Sequence, residues 1–192
     1  MVATFLLWLA LVGAGVQSAA PLALDVRVFR GPTEVTRDTQ VTVFPAGTRV
    51  GGRPAPLMPS GERQLPLTAG QYDLQLVEQK DGKVSGIAWT TLRLLVDYPG
   101  ESGRHLEVVN FDQGWGALQV RQDGARPGGP LAWSARLVAK NGSEVARGVS
   151  GDGYQVLVAP AGVYDLAVSQ PGAPARLQQV EVKANLTYVR MF

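Results

Sequence analysis

Leu67-Thr-Ala-Gly-Gln-Tyr-Asp-Leu74 and Ala159-Pro-Ala-Gly-Val-Tyr-Asp-Leu166 are two copies of one motif, placed 92 residues apart. Alternating apolar residues precede each copy, and the alternation resumes at the tyrosine. Alternation with a period of two is typical of strands that bury one face. The motif therefore predicts a strand, a corner and a second strand, formed twice along the chain.

The glycine and the tyrosine of the motif both suit the corner of a β-sandwich. Gly70 and Gly162 are expected to take up a positive φ at the bend. Tyr72 and Tyr164 can each lay a ring on the core and donate a hydroxyl hydrogen bond to backbone upstream, as in the tyrosine corner of Greek-key sandwiches. A tyrosine that merely begins a strand is the alternative, but the recurrence in both copies favours the corner. We therefore predict these four residues as a structural corner.

The same offset aligns apolar residues along most of the chain, such as Val26 with Leu118 and Leu65 with Leu157. A fixed offset indicates an internal repeat. Helical periodicity is nowhere sustained. The fold prediction is all-β, with two tandem Greek-key β-sandwich modules (immunoglobulin-like or transthyretin-like). Module 1 is expected at 21–111, a short linker at 112–114 and module 2 at 115–192.

Strand and turn residues divide each module further. Asp81-Gly82, Asn141-Gly142 and Asp123-Gly124 are two-residue hairpin signals. Segment 47–60, with several glycines and prolines, is expected to be a loop with at most an edge strand. The predicted strands are 22–30, 38–45, 62–68, 71–79, 86–96 and 105–111, then 115–121, 131–139, 144–149, 153–159, 163–169, 175–183 and 186–192.

Residues 1–20 have the composition of a secretory signal peptide. An apolar stretch from Val2 to Val16 is followed by small residues, with Ser18 and Ala20 at the positions that suit cleavage after Ala20. No lysine or arginine precedes the apolar stretch, and the first charged residue is Asp25, so an uncleaved membrane anchor would also be long enough and is the alternative. We predict a bacterial protein exported to the periplasm or the extracellular space by a cleavable signal.

Composition excludes several kinds of chemistry. The chain has no cysteine and one histidine, so it lacks a disulfide framework, a thiolate metal site and the ligand set of the usual zinc enzymes. Eighteen basic and sixteen acidic side chains give a net charge of +2 with no basic run, which argues against nucleic acid as a partner. We predict no cofactor, no metal site and no catalytic residue.

The second copy carries a family likeness in its strands. It reads Gly116-Ala-Leu-Gln-Val120, Pro130-Leu-Ala-Trp133, Gly142-Ser-Glu-Val-Ala-Arg147, Pro160-Ala-Gly-Val-Tyr-Asp-Leu166 and Val180-Glu-Val182. This resembles the immunoglobulin-like or transthyretin-like (carboxypeptidase regulatory-like) repeats of exported bacterial proteins, which accompany some von Willebrand factor A proteins. The Asp-x-Ser-x-Ser metal motif of the von Willebrand factor A domain is absent from the sequence. The resemblance implies a sandwich fold and an accessory role.

Four side chains are candidates for a more specific role. His105 follows a Gly-Arg turn, so a solvent-exposed turn histidine is expected. Trp133 aligns with Val41 and is predicted to fill the core. Trp115, between two glycines at the module junction, is expected either to bind a ligand or to pack between the modules, and Trp89 is the other candidate ligand surface.

Two functions from different classes follow from these patterns. The first is a non-enzymatic exported accessory protein, a protein-binding or spacer module whose partner is another envelope or secreted protein, recognised at sheet edges and end loops. The alternative is a carbohydrate-binding module that stacks a glycan on an exposed tryptophan. A glycan hydrolase is a third and weaker hypothesis, because a pair of catalytic carboxylates leaves no sequence signature.

Overall fold

The computed structural model describes residues 22–59, 61, 63–94, 104–123, 131–151 and 153–192. These residues form sixteen β-strands and one single-turn 3-10 helix, Thr36–Asp38. The chain is all-β, as the sequence predicts. The strands are β1 (Leu22–Arg30), β2 (Thr33–Glu34), β3 (Thr39–Pro45), β4 (Arg53–Ala55), β5 (Arg63–Leu67), β6 (Gly70–Lys80), β7 (Lys83–Leu94), β8 (Arg104–Asn110), β9 (Trp115–Arg121), β10 (Ser134–Val138), β11 (Glu144–Arg147), β12 (Val149–Ser150), β13 (Tyr154–Pro160), β14 (Gly162–Ser169), β15 (Arg176–Val182) and β16 (Thr187–Met191).

The strands pair into four sheets of four strands each. In sheet I, β1 pairs antiparallel with β2 and β5 and parallel with β8. Sheet II has the order β4-β3-β6-β7, and sheet IV has the corresponding order β11-β10-β14-β15. Sheet III has the order β12-β13-β9-β16, and its β16 is parallel to β9. Each half of the chain thus pairs its last strand in parallel with its first.

Three apolar clusters separate the four sheets. The first lies between sheets I and II and contains Val26, Val28 and Leu74. The second lies between sheets III and IV and contains Leu118 and Trp133. The third joins sheet I to sheet III through Phe29, Leu106, Val108, Ala117, Tyr154, Val156 and Val158. The layers therefore stack in the order II, I, III, IV, and sheets II and IV each keep one face towards solvent.

The middle sheets depart from the simple alternation of buried and exposed residues. In β13 the six residues from Tyr154 to Ala159 are all buried. One face of β13 packs on sheet IV and the other on sheet I, so both sets of side chains leave water. The polar side chains on these faces, such as Gln155, are consequently hydrogen bonded: its amide donates to the Trp133 carbonyl at 3.0 Å.

The predicted strands match the observed ones closely, with boundary shifts of a few residues. Strand β4 lies inside the segment expected to be a loop with at most an edge strand, and it is an edge strand of sheet II. The two-residue strand β2 was not predicted, because a strand so short carries no periodicity, and the predicted strand 144–149 is divided between β11 and β12. The turn at Asp123-Gly124 and the signal peptide at 1–20 fall partly or wholly outside the described residues. The division into modules at 21–111, 112–114 and 115–192 stays a prediction.

Both motif tyrosines return their hydroxyls to the backbone four residues upstream. Tyr72 donates to the Thr68 carbonyl at 2.8 Å, and Tyr164 donates to the Pro160 carbonyl at 2.9 Å. The expectation of a positive φ at the motif glycines is wrong, because neither Gly70 nor Gly162 has one. A glycine fits there for another reason: the ring of the following tyrosine lies against it.

A Cβ atom at Gly162 would lie 3.1 Å from the Tyr164 hydroxyl oxygen, and one at Gly70 would lie 3.4 Å from the Tyr72 ring. The glycine therefore leaves room for the aromatic ring, and the chain bends without left-handed backbone.

The prediction of an exposed His105 is also wrong. This side chain is 8% exposed at the start of β8, and its Nε2 lies 3.4 Å from a Glu107 carboxylate oxygen. Because β8 pairs along its length with β1, a residue expected at the tip of a turn becomes part of the sheet interior.

Candidate binding surface on sheet II

Strand β7 is the longest strand among the described residues and lies at the edge of sheet II. Its twelve residues pair antiparallel with β6 through the Asp81-Gly82 turn, where φ is 52° and 73°. No described strand pairs with its other side. The outer edge of β7 consequently presents a row of backbone N–H and C=O groups that an added strand can pair with.

The outward face of β7 is unusually apolar for a surface strand. Ile87 is 60% exposed and Trp89 is 39% exposed, whereas Leu92 and Leu94 point into the core. Val84, nearer the turn, is 58% exposed. Exposed apolar side chains that lie together on one strand mark an interaction site more often than scattered ones do. We call the free edge of β7 together with Ile87, Trp89, Phe44 and Arg49 the β7 surface.

Two neighbours hold Trp89 in place. The Phe44 ring on β3 lies with its centroid 5.6 Å from that of Trp89, at an interplanar angle of 38°. The Arg49 guanidinium lies 4.8 Å from the centroid of the Trp89 ring, within the range of a cation–π interaction. A Cβ at Gly52 would come within 2.4 Å of the Phe44 ring, so a glycine there lets the following backbone approach that ring closely. The aromatic pair is therefore supported from below by the sheet and covered in part by Arg49.

Asp73 on β6 positions the loop that carries Arg49. Its carboxylate accepts a hydrogen bond from the Thr91 hydroxyl at 2.7 Å and from the Gly47 backbone N–H at 2.9 Å. These two donors, together with the Arg49 charge, hold the pKa of the Asp73 carboxyl below its usual range. The ionised carboxylate thus fastens the loop after β3 to β7, and Arg49 comes to rest over Trp89.

The two tryptophans proposed for ligand binding lie in different parts of the molecule. Trp115 is half-buried and packs against the cluster between sheets I and III, with its ring 3.5 Å from the Cβ position of Gly31. Trp89 lies on the solvent face of sheet II. The structure does not bring them together. Trp133 is 5% exposed and packs edge-on against Phe192, with ring centroids 4.8 Å apart.

Sequence reasoning missed most of the β7 surface. Phe44, Arg49 and Ile87 were not singled out, because a residue's place on an outer sheet face depends on strand pairing. One signal was available: β7 has apolar residues at consecutive positions (Ile87-Ala-Trp89), which a strand with one solvated face does not require. Within the described residues, no group of three or more histidine or acidic side chains could hold a metal ion.

Comparisons with known proteins give fold-level likeness only. No family model matches the chain, and no curated protein matches it. Among solved structures, it is similar to the Bacillus anthracis TIE protein, with 16% identity and a TM-score of 0.33, over 90% of this chain and 34% of that one. It is also similar to the minor pilin of Streptococcus agalactiae, with 13% identity and a TM-score of 0.32, over 89% of this chain and 94% of that one.

A carbohydrate-binding module from Eubacterium rectale, solved with maltoheptaose, matches with 12% identity and a TM-score of 0.25, over 89% of this chain and 92% of that one. Likenesses at these TM-scores carry no argument about function. The immunoglobulin-like or transthyretin-like resemblance, and any association with von Willebrand factor A proteins, stay predictions. Of the helices in the described residues, none has the length and apolar character needed to cross a membrane.

Proposed function

We propose that this protein is a non-enzymatic exported binding module that takes up an extended segment of a partner protein beside β7. The observation that carries the proposal is the outer edge of a twelve-residue strand, with which no other described strand pairs and whose solvent face shows Ile87 and Trp89. Strand addition obtains its affinity from main-chain hydrogen bonds and its selectivity from alternate side chains. The stacked sheets behind β7 would serve as a rigid spacer, and the signal-like 1–20 would place the module in the bacterial envelope or outside the cell.

The repeat supplies an internal comparison for this edge. Strand β15 occupies in sheet IV the position that β7 occupies in sheet II. Leu177 pairs with Ala167, and Trp89 pairs with Gln75. Because Ala167 and Gln75 are separated by the repeat offset of 92, Leu177 corresponds to Trp89. β15 has seven residues, and four of them are glutamine, glutamate or arginine. A longer and more apolar edge favours β7 over β15 as the site of strand addition.

A test places a photo-crosslinking amino acid at position 87, with position 177 on β15 as the control on the equivalent edge, in the organism that makes the protein. The partner captured from position 87 is identified, produced separately and mixed with the full chain. Hydrogen exchange then reports on the backbone amides of β7. We expect the amides between 83 and 94 to gain protection, with no gain in β15.

Two substitutions complete the test. Trp89→Lys is expected to weaken partner binding strongly, whereas Leu177→Lys on the equivalent edge is expected to leave it unchanged, and both should leave the melting temperature near that of the parent protein. A partner that binds without protecting the amides between 83 and 94 would rule out strand addition at this edge.

A second candidate function is glycan binding on the Phe44–Trp89 pair. The 39% exposure of Trp89 favours it, because sugars stack on exposed aromatic rings. Arg49 weakens it, since the guanidinium already lies over the ring that a sugar would cover. Fluorescence titration with cell-wall and plant glycans tests this second function. If glycans bind to the aromatic pair, an Arg49→Ala variant should bind them more tightly than the parent protein. The absence of a response from both proteins would exclude glycan binding.

A further inference from the structure

We infer that the segment taken up beside β7 is acidic, with carboxylate side chains flanking a short run of alternating apolar residues. The inference rests on the proposed function and adds to that function the chemistry of the partner. It follows from the charges around the strand and from the placement of its apolar side chains.

Basic side chains surround the β7 surface. Lys83 begins the strand and Arg93 lies one residue before its end. Arg49 lies over Trp89 between them, and Lys80 pairs with Lys83 beside the turn, on the face of the sheet opposite Trp89. All four are exposed.

The nearby acidic groups offset only part of this charge. The Asp73 carboxylate is engaged by Thr91 and Gly47, and Asp81 lies in the turn. Glu78, on the core-facing side of β6, is 6% exposed and forms an ion pair with Arg30. Among the described residues of β6, β7, the turn between them and the loop 46–52, an incoming strand therefore meets four cations against three carboxylates, one of which, Glu78, is buried in an ion pair with Arg30.

The equivalent edge in sheet IV lacks this imbalance. β15 carries Arg176 and Glu181, and the Glu181 carboxylate lies 3.7 Å from the Lys183 ammonium. A basic edge is therefore a property of β7 itself. Complementary charge steers encounter and disfavours wrong partners, so an edge of this kind selects acidic segments.

The charges also argue against a second copy of this chain as the occupant. Pairing β7 with itself would place two sets of the same four basic side chains on one continuous sheet. Like charges that face each other across strands are destabilising. With Ala88 at the two-fold centre, the end of one copy that carries Lys83 would lie beside the end of the other that carries Arg93.

The spacing of the apolar side chains on β7 determines where the partner segment needs apolar residues. Ile87 and Trp89 lie two residues apart on the same face, so they meet alternate residues of an added strand. Apolar side chains at those alternate positions would cover Ile87 and the exposed part of Trp89. Carboxylates beyond them would reach Arg93 on the same face at one end and Lys83 at the other, where the bulge in β7 places the lysine on the opposite face.

The experiment uses three synthetic ten-residue peptides with one common centre of alternating threonine and valine. The ends are Glu-Glu, Gln-Gln or Lys-Lys, and binding to the full chain is measured by the anisotropy of a dye on the peptide. We expect the Glu-Glu peptide to bind roughly three- to tenfold more tightly than the Gln-Gln peptide, as two partly exposed ion pairs would produce, and the Lys-Lys peptide to bind most weakly. The difference should vanish in 1 M NaCl, where the screening length falls to about 3 Å.

Charge reversal at the two ends of the strand provides the decisive variant. Lys83→Glu with Arg93→Glu should invert the order of the Glu-Glu and Lys-Lys peptides, whereas Arg176→Glu with Lys183→Glu at the ends of β15 should leave it unchanged. Equal binding of the three peptides, or no binding of any, overturns the inference. The proposed function is decided separately by the exchange protection of β7 with its captured partner, so the two failures are distinguishable.

Discussion

The Tyr154 hydroxyl donates a hydrogen bond of 2.7 Å to a carboxylate oxygen of Asp25, and this bond joins sheet III to sheet I across 129 residues of sequence. Tyr154 is 1% exposed and Asp25 is 0% exposed. Arg27 adds a second polar link between the sheets, because its guanidinium donates to the Ser150 carbonyl at 3.2 Å. The contact between the two sandwiches therefore combines apolar packing with directional bonds that fix its register.

The first prediction concerns this link. Tyr154→Phe keeps the ring and removes the donor to a buried carboxylate, so the free energy of unfolding should fall by about 1.5–3 kcal/mol. Denaturant unfolding followed by tryptophan fluorescence measures the change. Tyr188→Phe is the control and should alter the free energy by less than about 0.5 kcal/mol. Equal effects of the two variants would mean that the Tyr154 hydroxyl adds nothing to the junction.

The second prediction concerns the two tyrosine hydroxyls of the repeated motif. Tyr72→Phe and Tyr164→Phe each remove one hydrogen bond to a backbone carbonyl, so each should lower the free energy of unfolding by about 0.5–1.5 kcal/mol. The residues lie in different sandwiches, so the losses should add in the double variant. Chemical denaturation of the two single variants and the double variant checks this. A double variant as stable as the parent would contradict it.

The third prediction separates two glycines that both lie in strands. A Cβ at Gly116 would lie 2.0 Å from the Lys183 carbonyl oxygen, which belongs to the backbone and cannot rotate away. Gly116→Ala should therefore destabilise the fold by about 3 kcal/mol or more. Gly70→Ala, whose Cβ would lie 3.4 Å from the Tyr72 ring, should change stability by less than about 1 kcal/mol. Thermal unfolding of both variants distinguishes a backbone clash from an ordinary contact.

The fourth prediction concerns pH and the loop that carries Arg49. The pKa of Asp73 is lowered in the folded protein by the Thr91 hydroxyl, by the Gly47 N–H and by Arg49. The contribution of this carboxylate is thus present above its unfolded pKa of about 3.9 and is lost as the pH falls through the lower folded value. The emission of Trp89 should change in that acid range, as Arg49 leaves the ring.

Asp73→Ala should show the same change at neutral pH, together with faster hydrogen exchange at the amides of 46–50. Asp165→Ala, at the equivalent position of the second motif, is the control and should leave both readouts unchanged. An unaltered Trp89 signal in Asp73→Ala would mean that the loop is held by other contacts.

The positions of the strands and of the corners along the sequence were predictable because they depend on local patterns. The alternation around Tyr72 and Tyr164 locates two strands in each half, and the hairpin at Asp81-Gly82 follows from residues that tolerate positive φ. The role of the motif glycines was not predictable in the same way. Their small size matters because the tyrosine ring lies against them, and a pattern of apolar residues does not predict contact distances.

The burial of individual side chains was likewise predictable only where it depends on a local pattern. Trp133 aligns with a core valine, and its burial follows from that alignment. His105 follows a turn signal, and its burial follows instead from the parallel pairing of β8 with β1, between residues some eighty positions apart. No local pattern reports such a pairing.

The sequence by itself determined that this chain is all-β and built from a repeated unit, because period-two alternation and turn residues act over a few neighbouring positions. Only the tertiary structure decided that two of the sheets are buried on both faces, that Asp25 meets Tyr154, and that no other described strand pairs with the outer side of β7. The physical reason is that these features depend on which surfaces meet after the strands have formed, and residues far apart in sequence supply the two sides.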